Sequence, residues 1–456
     1  LAIRCLGEYG FLRKEIRVEK RVLRRLPTRW LSRRMWRRRL VFWLGALAVG
    51  ILSVVFAEIA NRSQAAFLEA ASRVWWLPLL VTPLGFLACS YLARTVFPGS
   101  QGSGIPQAIA ARHLRTGAER RQMLSPRLIV GKIALTILGL LTGASVGREG
   151  PTVQVGASIM LQVANLGGLR HERGLILAGS AAGISAAFNT PLAGIVFAIE
   201  EMSRSFEQRT NGLVLYAVII AGLASLGLVG NYSYFGSTSA TVSGTVGDWL
   251  MVVACGICGG LAGGVFSRIL LDGSRLARRW IAVSPLGRSL AIAFACGIIV
   301  ALIGVATGGA TFGTGYEQAR AAVEGQALPW FFWPAKLAAT LVTALSGIPG
   351  GIFAPSLAVG AGLGSWLGSL AGAGSPSLVA VLGMAGYFAG VVQAPMTAFV
   401  IILEMTGNNP NVIPLMIAAV LGFGASKLIA PEPLYHGLAK GFIEDAQRRE
   451  EGAVRS

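Results

Sequence analysis

The sequence predicts an all-α, polytopic membrane protein built from two related halves whose helices are tilted, unequal in length and broken. Three observations carry this reading. Hydrophobic residues make up 54% of the 456 residues and charged residues 13%, against roughly 25% charged in a soluble domain. Apolar stretches recur from Val41 to about Ile429. The chain also matches itself at a constant shift, Gly147 onto Gly351 and Pro191 onto Pro395. The composition excludes a soluble globular enzyme. The 60 glycines show no G-X-Y period and no Gly/Ser tract, so they suit close helix packing and interrupted membrane helices rather than collagen or a linker.

The chain opens on a basic arm, residues 1–40, with fourteen Lys/Arg and three Glu, or +11 of the total +19. It abuts an apolar span, which is the positive-inside pattern. Anionic membrane lipid is therefore the expected partner, and nucleic acid is not. The stretch is too long for the n-region of a signal peptide.

Clear spans follow at 41–60, 76–94, 128–146, 212–230, 249–267, 289–307, 330–345 and 411–429. Shorter pieces, interrupted by Gly and Pro, lie at 150–165, 174–187, 191–202, 353–371, 377–392 and 395–406. A bilayer core needs about 20 helical residues, so these read as tilted or partial helices. Backbone breaks at membrane depth are tolerated where they are buried in protein or line a wet cavity. The membrane domain is assigned to 41–440, with a first repeat at about 41–231 and a second at about 248–430. The basic clusters at 112–127 (Arg112, Arg115, Arg120, Arg121, Arg127) and 268–288 (Arg268, Arg275, Arg278, Arg279, Arg288) are placed in the cytoplasm with both termini. The segment 231–247 has no Lys or Arg and is placed outside. With a tail as short as 441–456, a soluble regulatory domain is not expected.

The repeat places Gly147–Pro151 on Gly351–Pro355, Val155-Gly156-Ala157 on Val359-Gly360-Ala361, and Glu200 on Glu404. Transporters are often built this way, with their sites where short, Gly/Pro-interrupted segments of each half meet. Three glycine-rich turns each lead into an apolar segment: Gly102-Ser103-Gly104-Ile105-Pro106, Gly147-Arg148-Glu149-Gly150-Pro151 and Gly351-Ile352-Phe353-Ala354-Pro355. Glycine permits the turn, and proline suits the first helical turn. Each therefore reads as a helix N-terminus with free N–H groups and the positive end of a helix dipole. Converging ends would make an anion site from partial charges, which bind and release more readily than a buried Lys or Arg. Taken singly, each turn is equally compatible with plain helix packing.

These motifs, in this order and spacing, together with Tyr435 in Glu432-Pro433-Leu434-Tyr435, resemble the CLC family of chloride channels and chloride/proton antiporters over roughly residues 40–440. The resemblance implies an inverted-repeat fold and a homodimer with one anion pathway per subunit. By motif it implies that Ser103 and Tyr435 give hydroxyls to a central anion, joined by the amides of Ile352 and Phe353. Amides near Gly150, Phe353 and Ala354 would hold an outer anion, and Gly102 with Ser103 an inner one. Glu149 would be the gate and outer proton acceptor, and Glu201, in Phe197–Met202, the inner proton relay. Lys132 and Arg148 would raise the potential of the pathway. Glu200, matched by Glu404, is read as structural.

The expected function is secondary active exchange of chloride for protons, in a bacterial inner membrane and with no cofactor. The alternative is a passive, voltage- or pH-gated chloride channel on the same fold. Ser103 resembles the chloride-selective pattern, a proline there would suggest nitrate, and fluoride-selecting relatives depart from the first motif and the tyrosine. A membrane-embedded enzyme is not supported, because no nucleophile, metal ligands or nucleotide loop stand out in the spans. His113, His171 and His436 have no metal spacing. Cys255 and Cys258 read as small packing residues beside Gly256 and Gly259. Gly360–Gly364 lacks the strand and full pattern of a dinucleotide turn. Asn231-Tyr232-Ser233 is a sequon only in form.

Overall fold

A computed structural model describes residues 33–114, 116–169, 171–203, 208–230, 233–243, 245–372, 375–407 and 409–455. Most of the basic arm, with Cys5, and also Arg115, Asn231 and Tyr232 lie outside the described residues.

The described chain is helical throughout, and the sole β pairing among the described residues is an isolated bridge between Gly147 and Gly351. The first half comprises α1 (Arg33–Arg73), α2 (Leu77–Thr95), α3 (Ile105–His113), α4 (Gly117–Met123), α5 (Pro126–Leu141), α6 (Glu149–Gly167), α7 (Glu172–Phe188), α8 (Pro191–Phe197) and α9 (Gln208–Val229). The second comprises α10 (Val246–Ile281), α11 (Pro285–Ala306), α12 (Tyr316–Val323), α13 (Phe332–Leu345), α14 (Phe353–Ala371), α15 (Pro376–Val392), α16 (Pro395–Thr406) and α17 (Val412–Ile429), and α18 (Leu434–Arg455) closes the chain. Among the described residues, seven helical stretches are long and apolar enough to cross a membrane, while α13, α15 and α16 are apolar but shorter.

Helix starts follow local chemistry. Proline opens α5, α8, α11, α15 and α16, where its missing N–H leaves no bond unmade. Two elements run past their apolar cores. α1 extends to Arg73 because its outer turns carry Glu58–Arg62 and Glu69–Arg73 pairs at i,i+4. α10 continues to Ile281, through Arg268–Asp272 and Asp272–Arg275 contacts. α5 stops at Leu141, short of the apolar run, because Gly143 adopts φ 86° and turns the chain toward Gly147. α8 passes into a π-helical turn, Ala198–Ser203.

The 204-residue shift is written into the backbone. Asn189 and Gln393 end α7 and α15 in the left-handed region, at φ 57° and 58°. Gly168 and Gly372 end α6 and α14 at φ 59° and 60°. Packing repeats as well. A methyl group on Gly156 would run into the Gly179 carbonyl and one on Gly179 into the Gly156 carbonyl, and Gly360 and Gly383 make the same reciprocal contact between α14 and α15. Small residues thus let paired helices approach to backbone contact, the usual way of packing without a hydrophobic drive between helices. Cys255 sits buried in such an interface with Sγ toward the Val379 carbonyl, and neither Cys255 nor Cys258 is in a disulfide. The bridge at the centre is antiparallel. The two matching turns are therefore related by a local two-fold.

Candidate functional site

The three glycine-rich turns meet at the centre of the molecule. Gly147 and Gly351 exchange N–H···O bonds of 2.7 Å in both directions. Gly102 donates to the Gly347 carbonyl at 3.3 Å and accepts from Gly350 N–H at 3.2 Å. Gly150 is packed so tightly that a side-chain carbon there would run into Ser103 Oγ and come within 3.2 Å of Gly351 Cα. Glycine at these positions is what allows three backbones to converge.

Glu149 opens α6, and Ile352 precedes α14, so two helix N-termini face this junction. The Glu149 side chain is fully buried over Gly147. Its carboxylate lies beside the backbone amides of Arg148, Glu149 and Ala354, although no bond of standard geometry is completed. A carboxyl group therefore occupies the position toward which the dipoles of α6 and α14 point.

A cavity of about 1900 Å³ reaches the junction from one face. Its deep end is formed by Gly102, Ser103, Ile352 and Tyr435, and its outer wall carries Arg94, Arg127, Arg275, Arg278, Arg279, Lys440 and Arg448, which outnumber Glu119, Glu444 and Asp445. Basic side chains around a low-dielectric funnel concentrate anions. Ser103 Oγ and Tyr435 Oη are buried beside each other, and neither completes a protein hydrogen bond of standard geometry. Buried hydroxyls normally have one. Phe353 is buried at the centre of an aromatic group, 4.8 Å from the Phe388 ring, 5.8 Å from Tyr435 and 6.1 Å from Phe197.

Two of the expected charges hold backbone in place. Lys132 is fully buried on α5 and donates to the carbonyls of Ser100 and Gly102 at 2.8 and 2.7 Å, fixing the first turn. Arg148 donates to the Ala57 carbonyl and Asn61 Oδ1 on α1, and its guanidinium lies 5.7 Å from the Tyr234 ring centre. Glu201 is not in this cavity. It is buried in the π-helical turn, 3.3 Å from His436 Nδ1.

Several contributors were not read from the sequence. Lys336, fully buried on α13, donates to Thr311 and Gly313 at 2.9 and 2.7 Å. It stands 204 residues after Lys132, so the repeat carried the signal. Gly313-Thr314-Gly315 is the second-half counterpart of Gly102-Ser103-Gly104, with left-handed φ of 64° and 76° at its glycines against 68° and 103°. Its shift is 211 residues, which hides it from a comparison at 204. Thr314 N–H donates to Gln64 Oε1 at 2.9 Å, so this counterpart is filled by an amide side chain.

The family model described as voltage gated chloride channel matches residues 84–427. The chain belongs to this family. It is thus a transport-family protein and not an enzyme. The H(+)/Cl(-) exchange transporter ClcA of Yersinia pestis bv. Antiqua (strain Angola) is 32% identical over 347 residues, covering 71% of this chain and 69% of that relative. A crystal structure of a CLC-type fluoride/proton antiporter is similar at TM-score 0.74 and 27% identity, over 87% of this chain and 96% of that one. A slow cyanobacterial Cl-/H+ antiporter shares the fold at TM-score 0.75 and 23% identity, over 90% and 98%.

Proposed function

We propose that this protein is a secondary active transporter that exchanges chloride for protons, with Glu149 as gate and outer proton acceptor and Glu201 as inner proton relay. The exchange reading is supported by the relatives named as an exchange transporter and as a proton antiporter at 32% and 27% identity. The gate assignment rests on one observation, the Glu149 carboxylate seated among backbone amides where α6 and α14 begin.

Chloride enters through the arginine-lined mouth, on the cytoplasmic side in this reading, and reaches the Ser103 and Tyr435 hydroxyls and the Ile352 and Phe353 amides. Beyond them the charged Glu149 carboxylate competes for donors that suit an anion, near Gly150, Phe353 and Ala354. Protonation removes its charge, the side chain swings out and chloride takes its place. Loss of the proton returns it. No full positive charge is needed among these donors, so the ion is bound without being trapped. Lys132 and Arg148 add positive potential while they hold the loops. The protein acts as a homodimer in a bacterial inner membrane, with the basic arm on anionic lipid. With Ser103 and Tyr435 both present, chloride and bromide pass and fluoride passes poorly.

The test is flux from proteoliposomes with chloride and pH electrodes read together. An imposed chloride gradient should drive protons uphill. Chloride flux that never moves protons uphill would instead establish the passive channel.

A further inference from the structure

Glu201 has a side chain only 1% exposed. A buried carboxylate cannot exchange protons with bulk water directly, so a neighbouring group must carry them. Tyr435 and His436 are consecutive in the first turn of α18, and consecutive helical residues point about 100° apart. Tyr435 faces the anion cavity, as do Gly437 and Leu438, whereas His436 is not in its wall. His436 turns toward the π-helical turn instead, placing Nδ1 3.3 Å from Glu201 Oε1 while its side chain remains 19% exposed. One ring thus touches both the buried acid and the solvent side.

Among the described residues, the other charged groups of this corner make contacts of their own. Arg112 on α3 donates to the Met202 carbonyl and to Ser203 Oγ. Glu200 accepts from the amides of Met396 and Thr397. His113 Nδ1 lies 2.8 Å from the Ile109 carbonyl. On α10, Arg275 pairs with Glu432, as does Lys440 from α18, and Arg278 lies against Gly441. Imidazole is the side chain that exchanges protons near neutral pH, with two distinct nitrogens.

We propose that His436 transfers protons between the cytoplasmic solution and Glu201. The proposal rests on the exchange function argued above. A proton taken from water at Nε2 makes the imidazolium. The Nδ1 proton passes to Glu201 Oε1, leaving a neutral acid and a neutral ring. With the ring turned toward water, Nε2 returns its proton to solvent and Nδ1 takes one from it, which restores the starting tautomer with no net proton change, and the reverse sequence serves the opposite direction.

The experiment compares wild type, His436→Ala and His436→Gln in proteoliposomes, recording chloride and proton flux at internal pH from 5.5 to 8. Wild-type chloride flux that moves no protons uphill defeats the exchange reading itself, and with it this inference. With wild type coupled, His436→Ala should lower proton flux by about tenfold while chloride flux persists, less than the full effect of a positioned acid or base because water can substitute. Added imidazole on the internal side should restore proton flux, which a merely structural role would not allow. On a Glu201→Gln background the histidine substitution should add nothing further. Proton flux in His436→Ala equal to wild type at every pH would overturn the proposal. If His436→Ala loses chloride flux as well, His436→Gln decides: slowed protons with intact chloride flux support the transfer role, and unchanged protons reject it.

Discussion

Glu200 and Glu404 each cap the other half's helix. Glu200 accepts from the amides of Met396 and Thr397 at 3.1 and 2.6 Å, and Glu404 accepts from those of Leu192 and Ala193 at 3.1 and 2.7 Å. The two pairs of amides are themselves related by the 204-residue shift. Each carboxylate satisfies two N–H groups that a helix start leaves open, and it lies at the favourable end of the dipole. The halves are thereby fastened together by a reciprocal pair of contacts, and the matched glutamates read as structural in the sequence have this role.

That reciprocity predicts equal penalties. Glu200→Ala and Glu404→Ala should each cost about 1–3 kcal/mol through orphaned, partly buried amides. Thermal unfolding in detergent should show similar drops in midpoint for the two variants. A large drop for one and none for the other would refute the shared role.

Gly150→Ala should abolish or severely reduce chloride flux. The added methyl runs into Ser103 Oγ and the Ser103 carbonyl oxygen, and overpacking of a tight site costs about 1–3 kcal/mol. Chloride efflux from proteoliposomes measures it, with size-exclusion behaviour as the folding control. Wild-type flux would mean that the three turns do not need this close approach.

Glu149→Ala should preserve chloride flux and eliminate proton coupling. Combined chloride and pH electrodes measure this, and surviving uphill proton movement would move the gate to another residue. Tyr435→Phe and Ser103→Ala, each removing a buried hydroxyl that completes no protein hydrogen bond of standard geometry, should weaken chloride binding by about 0.5–1.5 kcal/mol, the ordinary net value of a hydrogen bond. Isothermal titration with chloride reads this out.

Lys132→Met should destabilise the first turn, because the Ser100 and Gly102 carbonyls lose their donor in a buried site, at about 1–3 kcal/mol. Lys336→Met should do the same to the Thr311 and Gly313 carbonyls. Denaturation midpoints of both variants check the equivalence.

Glu432 links two elements outside the spans. Lys440 and Arg275, at 2.6 and 2.5 Å, hold its carboxyl below the usual range. A carboxylate whose folded pKa is depressed adds stability above the unfolded value of about 4.3, and that stability is lost as pH falls through the folded value. Glu432→Gln should therefore lower the melting point modestly at pH 7. The difference from wild type should shrink as the pH falls below about 4. A difference independent of pH would reject the ion-pair account.

The membrane class, most helix bounds, the duplication and the three turns follow from composition, periodicity and one numerical shift, because each is a local property of the chain. Proline at Pro376 and Pro395 marks helix starts, and Gly168 and Gly372 mark helix ends, wherever the rest of the chain lies. What the tertiary structure alone decided is who faces whom: Ser103 against Gly150, Glu149 beside the Ala354 amide, Glu200 on the start of α16, and Glu201 beside His436. Those partners lie from 47 to 235 residues apart. No local propensity acts across such gaps, so close packing of two interlocked halves selects the contacts.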